Sequence, residues 1–302
     1  MKIISSRNSE QFSKSIAAYL GVDLVRREIY KFASGEFCVD IQESIKGEYV
    51  FLIANTFPDI HESLMEIFLL IDGIKKSGAS KITLALPYFA YARQDQSDGA
   101  FSGFCTISNI FKSIGINKII TFDIHSPSAK EIYGQKLENI TSAKLLKEFI
   151  RRNRHIDVLA SPDLGKSELI LHLSKEMNLP YVLLSKKRLN DSICSTEILE
   201  GEAINKSILL IDDIVDTGNT LVSAAETLKK AGALSIDAFA THGLFAKKSI
   251  DMIKKSSISS LTITDSINNM SLELQGVSVV SIVNDIAESI LRSIKQELVI
   301  LL

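Results

Sequence analysis

Ile208-Leu-Leu-Ile-Asp-Asp-Ile-Val-Asp-Thr-Gly-Asn-Thr220 is the stretch whose reading decides the fold of this 302-residue chain. Its first four residues are apolar, as in a strand covered on both faces of a parallel sheet. The strand ends in Asp212 and Asp213, a short loop turns at Gly218, and a helix opens near Thr220. A helix that starts just beyond a buried strand presents its first backbone N–H groups and the positive end of its dipole to whatever lies past the sheet. Thr217 and Thr220 add hydroxyl donors, and Gly218 lets the backbone come close to a ligand. Asp216–Thr220 therefore suits a phosphate. Adjacent carboxylates at Asp212 and Asp213 suit vicinal hydroxyls, because each accepts hydrogen bonds from a sugar diol. The ligand class selected is a sugar carrying a phosphate a few bonds from its diol. The plainer reading makes Asp216 and Thr217 helix caps and the acid pair a solvated strand end. It leaves two acids followed by Asp-Thr-Gly-x-Thr unexplained.

The same alternation of short apolar runs and longer amphipathic stretches extends in both directions. Strands are expected at Ile3–Ser5, Tyr49–Ala54, Lys81–Leu86, Lys118–Phe122, Asp157–Ala160, Tyr181–Leu184, Ser207–Ile211, Ile236–Ala240 and Leu261–Thr264. Helices are expected at Ser9–Leu20 with Ser9 as N-cap, and at Ser63–Lys76, Ile107–Ile114 and Ser142–Arg152. Further helices are expected at Lys166–Met177, Asn219–Ala231, Lys247–Ser256 and Ser281–Glu297. Five- or six-residue apolar strands alternating with helices indicate parallel sheets covered on both faces, an α/β fold. The pattern runs through two rounds, so two domains are expected, residues 1–143 and 144–302, at about 100–200 residues per domain. In such folds ligands sit beyond the carboxyl ends of the strands.

Composition narrows the function. Thirty-four basic and 36 acidic residues give a net charge of −2, which argues against nucleic-acid binding by broad phosphate neutralisation. Three widely spaced cysteines, Cys38, Cys105 and Cys194, make no disulfide framework and point to a reducing compartment. The start, MKIISSRNSEQ, has no apolar core of a signal peptide, and no apolar run approaches the roughly 18–20 residues of a membrane span. A cytoplasmic, non-membrane protein is expected.

The 208–220 segment resembles the phosphoribosyl-diphosphate loop shared by type I phosphoribosyltransferases and ribose-phosphate pyrophosphokinases. Other segments resemble the pyrophosphokinases specifically. Phe32-Ala-Ser-Gly-Glu36, followed by Val39–Gly47, is similar to an adenine-binding hairpin, and Pro87-Tyr-Phe-Ala-Tyr-Ala-Arg-Gln-Asp95 to an ATP-contacting loop. Asp123-Ile-His125 stands where that family has a metal-binding histidine. Ser161-Pro-Asp-Leu-Gly165 is similar to a segment with a metal-associated aspartate, and Lys186-Lys-Arg188 to a catalytic lysine–arginine segment.

The resemblance implies two type I phosphoribosyltransferase-like domains, each a mainly parallel sheet flanked by helices. It implies diphosphoryl transfer from ATP to the 1-hydroxyl of ribose 5-phosphate, with Mg²⁺ as cofactor and a homo-oligomer, commonly a hexamer. Phe32, Ser34, Gly35, Glu36, Arg93 and Gln94 would hold ATP, and His125 and Asp163 would organise Mg²⁺. Lys186 and Arg188 would be catalytic. Ribose 5-phosphate would lie on Arg188, Asp212, Asp213, Asp216, Thr217, Gly218, Asn219 and Thr220. Read singly, His125 is an ordinary polar residue after a strand, Asp163 a helix cap, and Lys186–Arg188 a solvated basic run.

Three departures from the family pattern stand out. Gln96–Phe104 carries none of the usual basic residues, Ser34 replaces an aspartate, and Asp163 is followed by Leu-Gly-Lys where x-Gly-Gly is common, with Leu169 at a usual arginine. Two alternatives therefore stay open: a phosphoribosyltransferase consuming the same product, and a catalytically weak or silent homologue that regulates a true synthetase.

Overall fold

The computed structural model describes residues 1–95, 102–126, 128–190, 193–246, 248–267 and 276–300. The chain begins with β1 (Lys2–Ser5), α1 (Glu10–Leu20), the antiparallel hairpin β2 (Arg27–Lys31) and β3 (Phe37–Ile41), and β4 (Tyr49–Ile53). It continues through α2 (Ile60–Lys76), β5 (Lys81–Ala85), α3 (Gly103–Ser113), β6 (Lys118–Phe122), α4 (Ala129–Tyr133) and β7 (Leu137–Ile140). Then come α5 (Ala143–Arg152), β8 (Val158–Ser161), α6 (Ser167–Met177), β9 (Tyr181–Asn190), β10 (Ile193–Glu200), β11 (Ser207–Val215) and α7 (Asn219–Lys230). The last elements are β12 (Ser235–Gly243), α8 (Ser249–Lys254), β13 (Ser260–Thr264), β14 (Ser278–Val280) and α9 (Val283–Ile300).

Two compact units emerge: Met1–Ile140 joined by the stretch from Ser281, and Thr141–Asp265 joined by the stretch up to Val280. In the first unit, among the described residues, a five-stranded parallel sheet has the order β1-β4-β5-β6-β7. Val50, Leu52, Ile82 and Leu84 are apolar and fully or almost fully buried. α2 lays Leu64, Ile67, Leu70, Ile71 and Ile74, spaced three and four apart, into the same core. The ends of α1 show two kinds of backbone control. Ser9 occupies its N-cap position, but its side chain makes no capping bond, since a 3-10 turn over Arg7–Ser9 precedes the helix. At the other end Gly21 adopts the left-handed conformation that closes the helix.

The second unit carries, among the described residues, a seven-stranded sheet in the order β10-β9-β8-β11-β12-β13-β14, parallel except for the β9–β10 pair. Three strands run well past their expected ends, β12 among them, which reaches Gly243 against an expected end at Ala240. β9 continues past Leu184 because it pairs with β10, whose Ile-Cys-Ser-Thr-Glu-Ile-Leu-Glu lacks an apolar face and gives no strand signal. Ile198 is its member that packs on the core. β11 runs past Ile211 to Val215, so Asp212 and Asp213 lie inside the strand rather than at its end.

The sequence assigned residues 281–302 to the second domain, whereas the structure groups that stretch with the first. Polar bonds fasten α9 there. Lys118 Nζ donates to Ser293 Oγ at 2.9 Å and to Glu138 Oε2 at 2.6 Å. Arg292 donates to Glu138 Oε1 at 2.8 Å, and Lys81 pairs with Glu297. Among the described residues no helix is long and apolar enough to cross a membrane.

Candidate active site

The order β9-β8-β11 makes β8 and β11 the point where the chain's progress across the second sheet reverses, with β9 laid on one side of β8 and β11 on the other. Loops leaving two such neighbours diverge and open a crevice beyond their carboxyl ends. The Asp163 segment follows β8, and the Asp212–Thr220 segment belongs to the end of β11 and the turn into α7. The topology thus brings together two segments that are 50 residues apart in sequence, as with the 2.9 Å bond from the Ser207 amide to Asp157 at the strands' other ends.

Gly218 sits at the N-cap of α7 with φ +79°. A glycine has no side chain with which to satisfy the first helical amides. By helix geometry the amides of Asn219, Thr220 and Leu221 have no acceptor inside the helix and face the loop. A Cβ at Gly218 would meet Ile253 at 3.1 Å and Met252 at 3.3 Å, so both conformation and space call for glycine here. The loop's floor is tied down by Leu244 and Ala246, whose amides donate to Val215 O at 2.8 Å and Asp216 O at 3.0 Å. Thr217 and Asn219 are exposed and Thr220 is half-buried.

The acid pair is not a solvated strand end: Asp212 is 9% exposed and Asp213 5%. The backbone amide of Asp213 donates to Asp212 Oδ1 at 2.9 Å. Burial, with the Asp213 carboxylate beside it and Asp163 further off, pushes the Asp212 carboxyl well above the usual carboxylate range. Asp213 has a cation instead: Lys166 Nζ lies 3.3 Å from its Oδ2. Lys166 is absent from the expected site. Its signal is spatial, because a lysine closing a 3-10 turn after β8 reaches the end of β11 only once the two strands are neighbours.

Asp163 is half-buried, and its Oδ1 accepts from the Gly165 amide at 3.0 Å, capping the 3-10 turn Leu164–Lys166. The plain capping role is therefore present whatever else this carboxylate does. His125 is exposed just after β6, beyond Asp123, which is buried with φ +43°. These two belong to different units. No cluster of three or more His, Cys, Asp or Glu side chains poised for a metal occurs among the described residues. The donors that do occur fit a hard cation: carboxylate oxygens in a polar crevice suit an ion that keeps several waters and binds through one or two carboxylates plus substrate phosphates.

In the first unit the expected ATP segments converge on the start of α2. Phe32–Glu36 forms the tip of the β2–β3 hairpin, closed by Phe32 N–H to Glu36 O at 2.8 Å and Gly35 N–H to Phe32 O at 2.9 Å. Phe32 is half exposed, with its ring edge-on to Tyr30 at 5.1 Å, as a stacking platform requires. Ser34 Oγ donates to Glu36 Oε2 at 2.8 Å. Arg93 and Gln94 are exposed in a 3-10 turn whose carbonyl at Gln94 accepts from Ser102 Oγ at 2.6 Å. Lys31 Nζ pairs with Glu62 Oε1 at 2.5 Å, and the Tyr91 hydroxyl lies 3.3 Å from His61 Nδ1. Adjacent residues of one helical turn thus brace both segments.

β9 runs through Lys186 and Arg188, opposite Thr196 and Cys194 of β10. The side chains of Lys186 and Arg188 lie outside the described set, as do Gln96–Phe101 of the loop lacking basic residues.

A parallel sheet in each unit, with the phosphate-type loop at a reversal of strand order, defines the type I phosphoribosyltransferase class of fold. Residues 1–115 match the N-terminal domain of ribose phosphate pyrophosphokinase, and residues 173–302 match the phosphoribosyl synthetase-associated domain. The chain is 32% identical over 298 residues to a ribose-phosphate pyrophosphokinase of Thermotoga maritima, covering 97% of this chain and 94% of that one. It is 33% identical over 299 residues to one of Porphyromonas gingivalis, covering 98% and 95%. The crystal structure of phosphoribosylpyrophosphate synthetase from Mycobacterium smegmatis matches in fold with a TM-score of 0.90, at 23% identity, over 98% of this chain and 99% of that one. This chain belongs to the ribose-phosphate pyrophosphokinase family.

Proposed function

We propose that this chain transfers the diphosphoryl group of ATP to the 1-hydroxyl of ribose 5-phosphate, giving 5-phosphoribosyl 1-diphosphate and AMP. The observation that carries this reading is the buried Asp212–Asp213 pair leading into the glycine-capped start of α7 at the strand-order reversal. The 5-phosphate would accept from the amides of Asn219 and Thr220 and from the hydroxyls of Thr217 and Thr220. Asp212 and Asp213 would take the ribose diol, which leaves the 1-hydroxyl free to attack the β-phosphorus. The new bond joins that oxygen to Pβ, its proton passes to solvent, the bond between Pβ and the oxygen bridging to Pα breaks, and AMP departs with the bridging oxygen.

Phe32 would stack on adenine, with Ser34, Gly35 and Glu36 along its edge and Arg93 and Gln94 on the phosphates. Lys186 and Arg188 fit the charge that shifts from attacking to leaving oxygen, Lys as a point charge and Arg as a fork. By family resemblance Asp163 in the second unit and His125 in the first are the residues that would serve Mg²⁺, which would supply charge neutralisation for the triphosphate. We place the enzyme in the cytoplasm as a homo-oligomer, a hexamer by family resemblance, with no nucleic acid or membrane partner.

The test is incubation of purified protein with Mg·ATP and ribose 5-phosphate and separation of AMP from ADP by chromatography. AMP in step with sugar consumed supports diphosphoryl transfer. Sugar binding without AMP would favour a silent, regulatory homologue, and pyrophosphate release that depends on an added base would favour a phosphoribosyltransferase.

A further inference from the structure

Lys166 stands at the end of the turn after β8, where the resemblance has glycine, and its ammonium reaches the carboxylate that the proposed site assigns to the sugar diol. Both partners are well shielded, with side-chain exposures of 20% for Lys166 and 6% for Asp213. A hydroxyl that donates to a carboxylate oxygen sits about 2.7 Å from it, and positions at that distance from Asp213 Oδ2 include points within hydrogen-bond reach of an ammonium only 3.3 Å away. An ammonium has three N–H donors and a carboxylate none, whereas a sugar hydroxyl must both donate and accept to be satisfied on burial. Asp213 alone provides for half of that requirement. Lys166 beside it provides for the other half.

Resting on the ribose 5-phosphate reading of this crevice, we infer that Lys166 is a specificity-determining residue for the sugar: it donates to the same hydroxyl that Asp213 accepts from, so that the pair selects a pentose phosphate with that hydroxyl present over a deoxy analogue. The leverage is that of a charged donor in a shielded site. Removing the hydroxyl leaves the ammonium and the carboxylate paired with each other but each one hydrogen bond short in a shielded site, and such omissions are discriminated against more strongly than a lost methylene. A lysine that only held Asp213 in place would act through that carboxylate, so Lys166→Met would cost no further ribose 5-phosphate affinity in an Asp213→Asn background, whereas the loss of a direct donor would still be measured there.

The test is calorimetric binding of ribose 5-phosphate and its 2-deoxy and 3-deoxy analogues to the full-length protein without ATP. Wild type is compared with Lys166→Met and Lys166→Arg, each checked by its thermal unfolding. For Lys166→Met the expected result is a loss of about tenfold or more in ribose 5-phosphate affinity, shrinking below about threefold for one of the two analogues. Lys166→Arg, whose planar fork places its donors differently, is expected to weaken ribose 5-phosphate while narrowing the same ratio, and it decides the matter if the methionine variant does not fold. Equal losses for all three sugars, or none, would overturn the inference. Assaying the wild type for AMP alongside keeps the two readings apart. Selective sugar binding with no AMP would sink the proposed reaction and leave the role of Lys166 standing. AMP production with an unchanged sugar ratio would do the reverse.

Discussion

The backbone amide of Asp213 donates to Oδ1 of Asp212 at 2.9 Å, folding the first carboxylate of the pair back onto its own strand while the second is met by Lys166. Two neighbouring acids therefore have different environments, one pushed toward the neutral form by burial and by its neighbour, the other held beside a cation. A carboxyl whose titration is raised in the folded state contributes stability that is complete below its ordinary value of 3.8 and is lost as pH rises through the folded value. Replacing Asp212 with Asn removes the ionisable group and should make the free protein more heat-stable than wild type near neutral pH, with the difference closing toward about pH 4. Thermal unfolding across that range checks it. A variant less stable at neutral pH than at acid pH, relative to wild type, would contradict the assignment.

Gly218 should accept a side chain only at a cost. With φ +79° and Ile253 and Met252 within 3.3 Å of a Cβ, Gly218→Ala should cost about 1–2 kcal/mol in stability. It should also raise KM for ribose 5-phosphate while leaving KM for ATP unchanged, because the strain falls on the turn that presents the α7 amides. Steady-state kinetics and a denaturant titration measure the two effects.

Glu62 offers the complementary test in the first unit. Its bond to Lys31 is exposed on both sides, so its worth is that of a surface pair. Glu62→Gln should raise KM for ATP by no more than about threefold, fading with added salt, and leave KM for ribose 5-phosphate alone. An effect on the sugar instead would remove the hairpin from nucleotide binding.

Glu138 collects Lys118 and Arg292 and so joins β6 and β7 to α9. Burial raises its titration, but those two cations outweigh it and the net shift is downward from 4.5. Stability from such a group is present above its ordinary value and lost as pH falls through the folded value. Glu138→Gln should therefore destabilise by about 1–2 kcal/mol at neutral pH. The deficit should vanish in acid, below pH 4.5. Chemical denaturation at two pH values reads this directly.

Much of this architecture is legible in the chain. The buried strands are apolar runs, and the phosphate loop announces itself because its glycine, threonines and acids are contiguous. What escapes the sequence is whatever depends on which strands become neighbours. Lys166 shows in the sequence only as a departure from a glycine, and its reach to Asp213 emerges once β8 and β11 pair. His61 and Glu62 precede the expected helix start at Ser63, whereas the helix begins at Ile60 and sets them against the hairpin and the Arg93 turn. The register of β9 with β10 carries Lys186 and Arg188 within a strand although β10 has no apolar alternation. α9 follows the second sheet in sequence, yet its partners Lys81, Lys118 and Glu138 were laid down far earlier in the chain.

The most direct test of the central claim follows the phosphorus. With ATP labelled at the β-phosphate, purified protein, Mg²⁺ and ribose 5-phosphate should move the label into an acid-labile sugar diphosphate in equal amount to unlabelled AMP. Label remaining in ADP, or in ATP while ribose 5-phosphate is bound and unchanged, would contradict it.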